Sequence, residues 1–245
     1  MKVNEIRVGD RGAICVRVRT RDTLAAALEA AGLPSPGPVL VVIGGAGRLD
    51  TAELRRLTPL FTDGLAPAIE KVGAVAVDGG TDAGVMRLLG DAREAKSATF
   101  PLVGVVAEGT VHLPGTASSR TDAANLEPHH THFVLVPGDQ WGDESSWITA
   151  TASRLAGAAP SLTVLVNGGD IAYRDASLSV EAGRPLVVIR GSGRAADEIA
   201  SAIRAEPSDP RAHQIVTSRL VTYVDVDDPD VVGTAVSAAL QPPTH

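Results

Sequence analysis

Four short apolar runs along the chain each end in a glycine-rich turn. The runs show almost no alternation of apolar and polar residues, as expected of strands that are covered on both faces of a parallel sheet. Because parallel strands end at the same edge of a sheet, the turns predict an edge where a phosphorylated ligand can approach the backbone. The runs are residues 39–43, 74–77, 163–166 and 186–189, and the turns after them begin Gly44-Gly45-Ala46-Gly47, Asp78-Gly79-Gly80-Thr81, Asn167-Gly168-Gly169-Asp170 and Arg190-Gly191-Ser192-Gly193-Arg194.

The rest of the chain alternates between strand and helix patterns. Apolar and charged residues alternate at 13–19, which predicts an edge strand with one face in water. Residues 214–226 predict a final strand or hairpin. The alternation predicts an α/β fold with a doubly wound, mostly parallel sheet and helices on both faces. The other predicted strands lie at 102–107 and 132–136, and the predicted helices at 20–31, at 51–72 with a break near Pro59 or Pro67, and at 83–96, 143–156, 172–182, 195–205 and 229–240.

The length of 245 residues fits one α/β domain. We therefore predict a single domain over 1–245, with an edge strand and helix at 13–37, a core at 38–205, and a C-terminal strand and helix at 213–240. Residues 108–128 have the least regular pattern. We predict a long loop over the end of the sheet there, and loops of this length often act as lids.

Composition and charge exclude several classes of protein. The formal net charge of −7 opposes nucleic-acid phosphates, and no cluster of Lys and Arg with interleaved aromatic residues offsets it. No apolar run approaches the ~18–20 residues that span a bilayer, and the N-terminus lacks a secretory pattern. Cys15 is expected to be a buried strand residue, with a nucleophilic role as the alternative. A lone cysteine suits a reducing cytoplasm, so we expect a cytoplasmic protein that binds neither nucleic acid nor membrane.

The turn after residues 74–77 has two interpretations. Gly79 and Gly80 let the backbone adopt positive φ and approach a ligand, and the amides of the next helix favour an anion. Thr81 adds a hydroxyl that can bond a phosphate. The alternative is a tight strand–helix turn with Thr81 or Asp82 as the helix N-cap.

The turn after residues 186–189 combines backbone amides, the Ser192 hydroxyl and the Arg194 guanidinium. Arg194 can contact a phosphate or diphosphate with two hydrogen bonds, and such charged bonds contribute ~1.5–3 kcal/mol. The alternative is a surface arginine paired with Asp197 or Glu198 on the same helix. We favour ligand contact.

A further turn follows the strand predicted at 132–136, and it places a second anion-binding segment beside a carboxylate at a helix start. Glu144 can serve as a general acid or base or hold a ribose hydroxyl. Its alternative role is to complement the positive helix N-terminus. Trp141 or Trp147 can stack on a base, or pack against the protein instead. The turn reads Pro137-Gly138-Asp139-Gln140-Trp141-Gly142-Asp143-Glu144.

Three histidines, His129, His130 and His132, lie within four residues. Histidines bind Zn²⁺, but a structural zinc site needs four ligands, and cysteine partners are absent from the sequence around them. We expect polar side chains at the mouth of a strand, lining the pocket, and predict no metal site and no required cofactor.

Taken in this order, the turns resemble the SLOG superfamily, in particular its prokaryotic LSDAT branch, which is related to the cytosolic N-terminal domain of TRPM (melastatin-type) channels. The matching segments cover most of the chain. The Gly-Ser-Gly-Arg-Ala-x-Asp and Gly-Gly-Thr-x-x-Gly-Val segments are the more specific ones. The segments are Val42-Ile43-Gly44-Gly45-Ala46, Asp78-Gly79-Gly80-Thr81-Asp82-Ala83-Gly84-Val85, His130-Thr131-His132-Phe133-Val134-Leu135, Trp141-Gly142-Asp143-Glu144, and Pro185 through Gly191-Ser192-Gly193-Arg194-Ala195-Ala196-Asp197.

The resemblance implies a modified Rossmann-like fold that binds a nucleotide such as ADP-ribose, cyclic ADP-ribose or a related NAD-derived ligand, here as a stand-alone module. By this likeness, Thr81, Gly84 and Val85 lie at one end of the ligand, and Ser192, Gly193 and Arg194 hold phosphate. The predicted ligand-binding residues are Gly44, Gly45, Ala46, Gly79, Gly80, Thr81, Gly84, Val85, Gly138, Trp141, Gly142, Glu144, Gly168, Gly169, Gly191, Ser192, Gly193 and Arg194.

Two departures accompany this likeness. Channel domains carry arginines on the helix after the Trp141-like position, where this chain has Trp147-Ile148-Thr149, so one phosphate contact of the family is missing. The turn that ends in Glu144 also looks similar to the Pro-Gly-Gly-x-Gly-Thr-x-x-Glu motif of the cytokinin-activating phosphoribohydrolases (LONELY GUY type). It lacks the second glycine of that motif and has Asp143 in place of threonine, but it keeps the final acid.

The sequence supports three functional hypotheses. The first is a soluble sensor that binds an ADP-ribose-like nucleotide, with an effector that reads the bound state. The second is a nucleotide N-glycosidase or phosphoribohydrolase with Glu144 as the catalytic acid/base. The third is an interaction scaffold with a vestigial pocket. The superfamily resemblance also makes a homodimer plausible.

Overall fold

The computed structural model describes residues 3–115, 120–204 and 209–241. Within these ranges, a nine-stranded sheet has the order β1-β2-β8-β5-β4-β3-β9-β10-β11, and β6 and β7 pair separately. All neighbours in the large sheet are parallel except β1 and β2. The strands are β1 (Val3–Val8), β2 (Arg11–Arg17), β3 (Val39–Gly44), β4 (Val75–Asp78), β5 (Leu102–Ala107), β6 (Val111–His112), β7 (Ala124–Asn125), β8 (His132–Val136), β9 (Ser161–Val166), β10 (Leu186–Arg190) and β11 (Val221–Asp225).

Helices cover both faces of the sheet, because successive residues of each strand point to opposite faces. On β3, Val39, Val41 and Ile43 belong to one apolar cluster, packed with α1, α5, α6, α7 and α8. Leu40 and Val42 belong to the other, packed with α2, α3, α4 and α9. The helices are α1 (Leu24–Ala30), α2 (Thr51–Pro59), α3 (Ala66–Val72), α4 (Gly84–Ala95), α5 (Ser145–Ala156), α6 (Asp170–Glu181), α7 (Arg194–Ala202), α8 (Pro210–Val216) and α9 (Pro229–Leu240).

This architecture confirms the predicted doubly wound, mostly parallel α/β fold. The strand order reverses at β3, because β4, β5, β8 and β2 follow on one side of it and β9, β10 and β11 on the other. A reversal of this kind opens a crevice at the carboxyl ends of the strands. Cys15 is buried in β2, and burial raises the pKa of its thiol to about 11.

The N-terminal strand β1 was not predicted. It pairs antiparallel with β2 and is therefore the true edge, so the strand predicted at 13–19 lies one position inside the sheet. Most of β1 is exposed or half-buried, and only Val8 is fully buried. Its sequence therefore carries little of the apolar signal that identifies a buried strand.

Two other segments differ from the predicted pattern. The helix predicted at 51–72 is interrupted, as expected: α2 ends at Pro59, a π-helical segment spans Leu60–Leu65, and α3 follows. Proline lacks an amide donor, which accounts for the break. The strand or hairpin predicted at 214–226 is wrong in its first part, because α8 continues to Val216 and β11 begins only at Val221. The end of the helix predicted at 195–205 lies outside the described residues.

In the range 108–128, predicted as a loop over the end of the sheet, the described residues Thr110 and 122–124 lie at the carboxyl ends of the strands, and 116–119 lie outside the described residues. β6 pairs with β7 in this segment. In the described part of the chain, none of the helices has the length and apolarity that crossing a bilayer demands.

Candidate functional site

A cavity of about 650 Å³ lies at the carboxyl ends of the parallel strands, where the strand order reverses at β3. The turns after β3 and β4, the starts of α5, α6 and α7, and residues 122–124 of the long loop all line it. Half of the predicted ligand-binding residues therefore meet in one place. They are Gly44, Gly45, Ala46, Gly79, Thr81, Trp141, Glu144, Gly169 and Arg194.

The other half build the turns from behind and do not line the cavity. Gly84 has φ +50°, and a Cβ there would meet the Gly45 carbonyl oxygen at 2.0 Å. The Val85 amide donates to that same oxygen at 2.9 Å. These two residues thus press α4 against the β3 turn, and their contact with a ligand stays a prediction. The predicted residues outside the cavity lining are Gly80, Gly84, Val85, Gly138, Gly142, Gly168, Gly191, Ser192 and Gly193.

The β4 turn is fixed by a buried network of ionisable side chains. Asp78 Oδ1 accepts from the Gly80 amide at 2.7 Å and lies 2.8 Å from His130 Nε2. His130 Nδ1 lies 2.7 Å from Glu127 Oε2. The Glu127 amide in turn donates to the Gly80 carbonyl at 3.0 Å. The sequence analysis placed His130 at a strand mouth, but its imidazole is fully buried and braces the turn that carries Thr81.

The two carboxyl groups of this network favour the protonated form of His130. Burial lowers the pKa of His130, but the Asp78 charge and the bonds to Asp78 and Glu127 outweigh it and raise the pKa to about 9. Burial raises the pKa of Glu127, and the bonds to His130 and His129 more than reverse this, so the pKa is lowered. His130 is therefore an imidazolium between two carboxylates.

The three histidines do not meet at one point. His132 Nε2 lies 3.2 Å from the Ala31 carbonyl oxygen, away from the Asp78–His130–Glu127 network. All three border a second cleft near β1 and do not line the cavity, contrary to our expectation. Asp91, Glu127 and His129 do bring ligand atoms within 4.8 Å of one another. That group also lies outside the cavity lining.

Asn167 and Ser192 lock the turns after β9 and β10 together. Ser192 Oγ accepts from the Asn167 amide at 2.7 Å and donates to the Ile189 carbonyl at 2.6 Å. Asn167 Nδ2 donates to the Ser192 carbonyl at 2.7 Å. Ser192 is only 1% exposed, so its hydroxyl serves the fold in this structure.

Arg194 lies at the cavity, against Gly169. A Cβ on Gly169 would meet Arg194 Nη2 at 2.6 Å, so the guanidinium lies directly against this glycine. The carboxylates that could have paired with it are engaged elsewhere: Asp197 accepts from the Gly191 amide and Glu198 from the Tyr173 hydroxyl. Among the described residues, Arg194 forms no ion pair, which argues against the surface-pair alternative.

Among the described residues, side-chain caps are absent from the four helices that begin at the cavity, as they are from α1 and α3, and present at three other helices. Asp50, Asp209 and Asp228 cap α2, α8 and α9 with side-chain hydrogen bonds. At the N-termini of α4, α5, α6 and α7, no described side chain makes a capping bond. The first or capping residue of each of these four helices lines the cavity. The helix dipole favours an anion at these N-termini, although the Val85, Ala195 and Ala196 amides already donate to backbone carbonyl oxygens.

The turn after β8 places Trp141 and Glu144 at the cavity. Trp141 is 38% exposed, and its indole nitrogen donates to Asp122 Oδ2 at 3.3 Å. The Glu144 carboxylate accepts from the Gly142 amide at 3.0 Å. Burial is the main reason that the pKa of Glu144 is raised, and the Asp143 charge adds to it.

Several lining residues were missed by the sequence analysis. Arg48 adds a second cation beside the β3 turn, and Asp175 adds a carboxyl from within α6. Arg48 follows the glycine turn directly, so its place was readable from the sequence. Asp175 lies in mid-helix, where no pattern separates a lining residue from a surface one. Ile148 also lines the cavity, at the position where the resemblance leads us to expect arginine.

The sheet order and the cavity at its switch point define a Rossmann-like α/β protein. The chain belongs to the family described as SLOG in TRPM, prokaryote, whose model matches residues 37–233.

The curated relatives are much longer than this chain. The chain is 27% identical over 204 residues to transient receptor potential cation channel subfamily M member 2 of Mus musculus, covering 69% of this chain and 13% of that protein. It is 26% identical over 227 residues to the Rattus norvegicus protein of the same name, covering 78% and 15%. A Nematostella vectensis channel subfamily M member-like 2 protein is 26% identical over 204 residues, covering 68% and 13%. The chain therefore matches a small part of each relative.

Proposed function

We propose that this protein binds an ADP-ribose-like nucleotide in the cavity and acts as a sensor for it. The observation that carries this proposal is the Arg194 guanidinium, which faces the cavity against Gly169 and forms no ion pair among the described residues. An unpaired guanidinium beside glycine backbone suits a diphosphate, which accepts two parallel hydrogen bonds from arginine.

Three further features support a nucleotide as the ligand. Four helices begin at the cavity, and their dipoles favour a negatively charged group such as phosphate there. The volume of about 650 Å³ lies within the range of small-molecule sites. Trp141 offers an exposed ring for a base. The family relation to TRPM nucleotide-binding domains points the same way. A cytoplasmic location, a homodimer and a downstream effector stay predictions.

Binding can be tested by thermal shift and calorimetry with ADP-ribose, cyclic ADP-ribose, NAD and AMP. Ligand at ~100 times its dissociation constant should add ~2.7 kcal/mol to stability. That raises the midpoint by roughly 5–10 °C for a domain of this size. Arg194→Ala should weaken binding by about 10- to 100-fold, because a charged hydrogen bond is lost.

Arg154→Ala is the matched control, because it removes the same charge from an exposed residue near the end of α5 that does not line the cavity. It should bind like the wild type. If no nucleotide shifts the midpoint, or if Arg194→Ala binds as tightly as Arg154→Ala, the proposal fails.

A second candidate function is hydrolysis of the N-glycosidic bond of a nucleotide. The observation in its favour is Glu144, a cavity carboxyl whose pKa is raised by burial, as suits a general acid. Mass spectrometry of the same titrations separates the two candidates. A hydrolase releases free base and loses that release in Glu144→Gln while binding persists, whereas a sensor returns its ligand intact.

A further inference from the structure

Asp91, Glu127 and His129 form a cluster of possible metal ligands outside the cavity. Their ligand atoms all lie within 4.8 Å of one another. His129 Nδ1 is 2.5 Å from Glu127 Oε1 and 3.8 Å from Asp91 Oδ1. Asp91 lies on α4, whereas Glu127 and His129 lie between β7 and β8. The fold therefore brings together two carboxylates and an imidazole that are far apart in the sequence.

The Glu127 carboxylate is held in a fixed orientation, with one oxygen turned toward this cluster. Its Oε2 atom lies 2.7 Å from His130 Nδ1 and accepts from the His129 amide at 2.9 Å. Among the described residues, the Oε1 atom makes its hydrogen bond with the His129 ring. Outer hydrogen bonds of this kind orient the carboxylates that ligate metal ions. The second oxygen of Glu127 thus already has the partners that a ligating carboxylate needs.

Gly90 lets this carboxylate approach α4 closely. A Cβ on Gly90 would meet Glu127 Cδ at 2.3 Å, so the carboxyl group lies directly against the helix and beside the start of the Asp91 side chain. Glycine is unfavourable inside a helix, and close approach of another group is a common reason for it. The helix is therefore built to receive the Glu127 carboxylate next to Asp91.

The Asp91 carboxylate is available to a cation. It is 60% exposed, and within the described ranges it makes no hydrogen bond and has one long ion pair, with His129. Arg87 lies one turn earlier on α4 and donates instead to the Asp82 side chain at 2.6 Å. Glu127 and Asp91 act on each other as like charges. A positive ion bound between the two carboxylates would offset this repulsion.

We propose that Asp91 Oδ1, Glu127 Oε1 and His129 Nδ1 bind a divalent transition-metal ion such as Zn²⁺. Carboxylates and imidazole are ligands that Zn²⁺ accepts, and three protein ligands leave a further position for water. The hydrogen that joins Nδ1 to Oε1 leaves as a proton, because each ligand atom must present a lone pair to the metal. His129 borders the second cleft and Asp91 is exposed, so the ion can enter from solvent.

This site departs from the expectation of no metal site that the sequence analysis gave. That expectation considered the three neighbouring histidines and the absence of cysteines near them. In the structure, His130 belongs to the buried network and His132 lies elsewhere, while a helix residue far away in the chain becomes the partner of His129.

The test is calorimetric titration of the untagged, EDTA-treated protein with zinc chloride, in two buffers that differ in their enthalpy of ionisation. We expect one Zn²⁺ per chain, with release of a proton that the two buffers reveal. Mn²⁺ should bind more weakly than Zn²⁺, as expected of a site with these ligands. Asp91→Asn and His129→Ala should each weaken Zn²⁺ binding by about 10-fold or more, because each removes a ligand.

Matched controls are Asp22→Asn and His213→Ala, which change an exposed aspartate and an exposed histidine elsewhere and should bind Zn²⁺ like the wild type. Asp91 is exposed, so Asp91→Asn keeps the test valid even if His129→Ala fails to fold. Absence of saturable Zn²⁺ binding by the wild type, or equally tight binding by Asp91→Asn and Asp22→Asn, overturns the metal site. Neither result affects the proposed nucleotide binding, because the cluster lies outside the cavity lining.

Discussion

Asp78, which is fully buried behind the β4 turn, and Asp175, which is half-buried at the cavity, are two aspartates with opposite surroundings. Asp78 Oδ1 has a backbone donor and a buried imidazolium, although Oδ2 has no partner. Burial raises the pKa of Asp175, and the charged group that most affects it is another carboxyl, Glu144, while Ser145 and Arg174 partly offset the rise. Asp78 is thus committed to the frame of the site, while Asp175 lies beside a group of like charge. The difference teaches that burial alone does not reveal the role of a carboxyl, because the dominant neighbouring charge is positive at Asp78 and negative at Asp175.

The largest loss of stability should come from removing the His130 imidazolium beside Asp78. His130→Gln leaves Asp78 and Glu127 buried without their shared imidazolium, and breaking a buried pair of this kind costs about 3–5 kcal/mol. Urea unfolding at neutral pH measures this loss. His112→Gln, at an exposed histidine, is the control and should unfold like the wild type. A loss below about 1 kcal/mol in His130→Gln would mean that the network does not hold the β4 turn.

The stabilisation that the network around Asp78 provides depends on pH, because the pKa of His130 is raised. Its folded pKa of about 9 exceeds the unfolded value of about 6.5, so the stabilisation is complete below the lower value and is lost as the pH rises through the higher one. The stability of His130→Gln should lack that decline.

Removing the charge of Asp175 should instead increase the stability of the protein. The folded pKa of Asp175, about 7, exceeds the unfolded value of about 4, so the wild type loses stability as the pH rises between these values. Asp175→Asn removes the buried charge and should be about 2–4 kcal/mol more stable than the wild type at pH 8, in the absence of ligand. Thermal unfolding at pH 8 and pH 4.5 tests this.

At pH 4.5 the two proteins should differ little, because the wild-type carboxyl is then protonated when folded. A variant that is less stable than the wild type at pH 8 would show that Asp175 contributes to the frame, as Asp78 does.

The smallest loss of stability should come from changing Asp91, at the exposed edge of the network around Asp78. Asp91 is 60% exposed and lies 3.8 Å from His129 Nδ1. Exposed pairs of this kind contribute little, so Asp91→Asn should change the free energy of unfolding by no more than about 0.5 kcal/mol. A larger loss of stability would show that the Asp91–His129 pair also belongs to the stabilising network around Asp78. The difference between that network and the surroundings of Asp175 would then be smaller.

The fold was largely predictable from the sequence. Which of the turn residues line the cavity and which only hold the turns in place was not. Continuous apolar runs identify strands that are buried on both faces, so β3, β4, β9 and β10 were found, while the wet edge strand β1 was missed. The glycine turns were also found, since glycine is the residue that permits close approach of backbone. Which turn residues line the cavity depends on how the turns stack, and no local pattern encodes that.

The buried ionisable groups were the least predictable part. His130 looked like a polar residue at a strand mouth, because the sequence does not show that Asp78, far away in the chain, lies against it. Asp175 looked like any aspartate in an amphipathic helix. Its raised pKa comes from burial and from the neighbouring Glu144 charge, and only packing in three dimensions reveals these surroundings.

The β4 turn and the long loop are joined on both sides of Thr81. The Asp82 amide donates to the Asn125 carbonyl, Thr81 forms a bridge with Leu126, and the Glu127 amide donates to the Gly80 carbonyl. These three contacts hold the turn and the loop together, so the two segments are expected to move as one unit. Any movement that a ligand imposes on the turn is carried outward by the loop, which makes residues 120–127 the place to attach a fluorophore that reports occupancy.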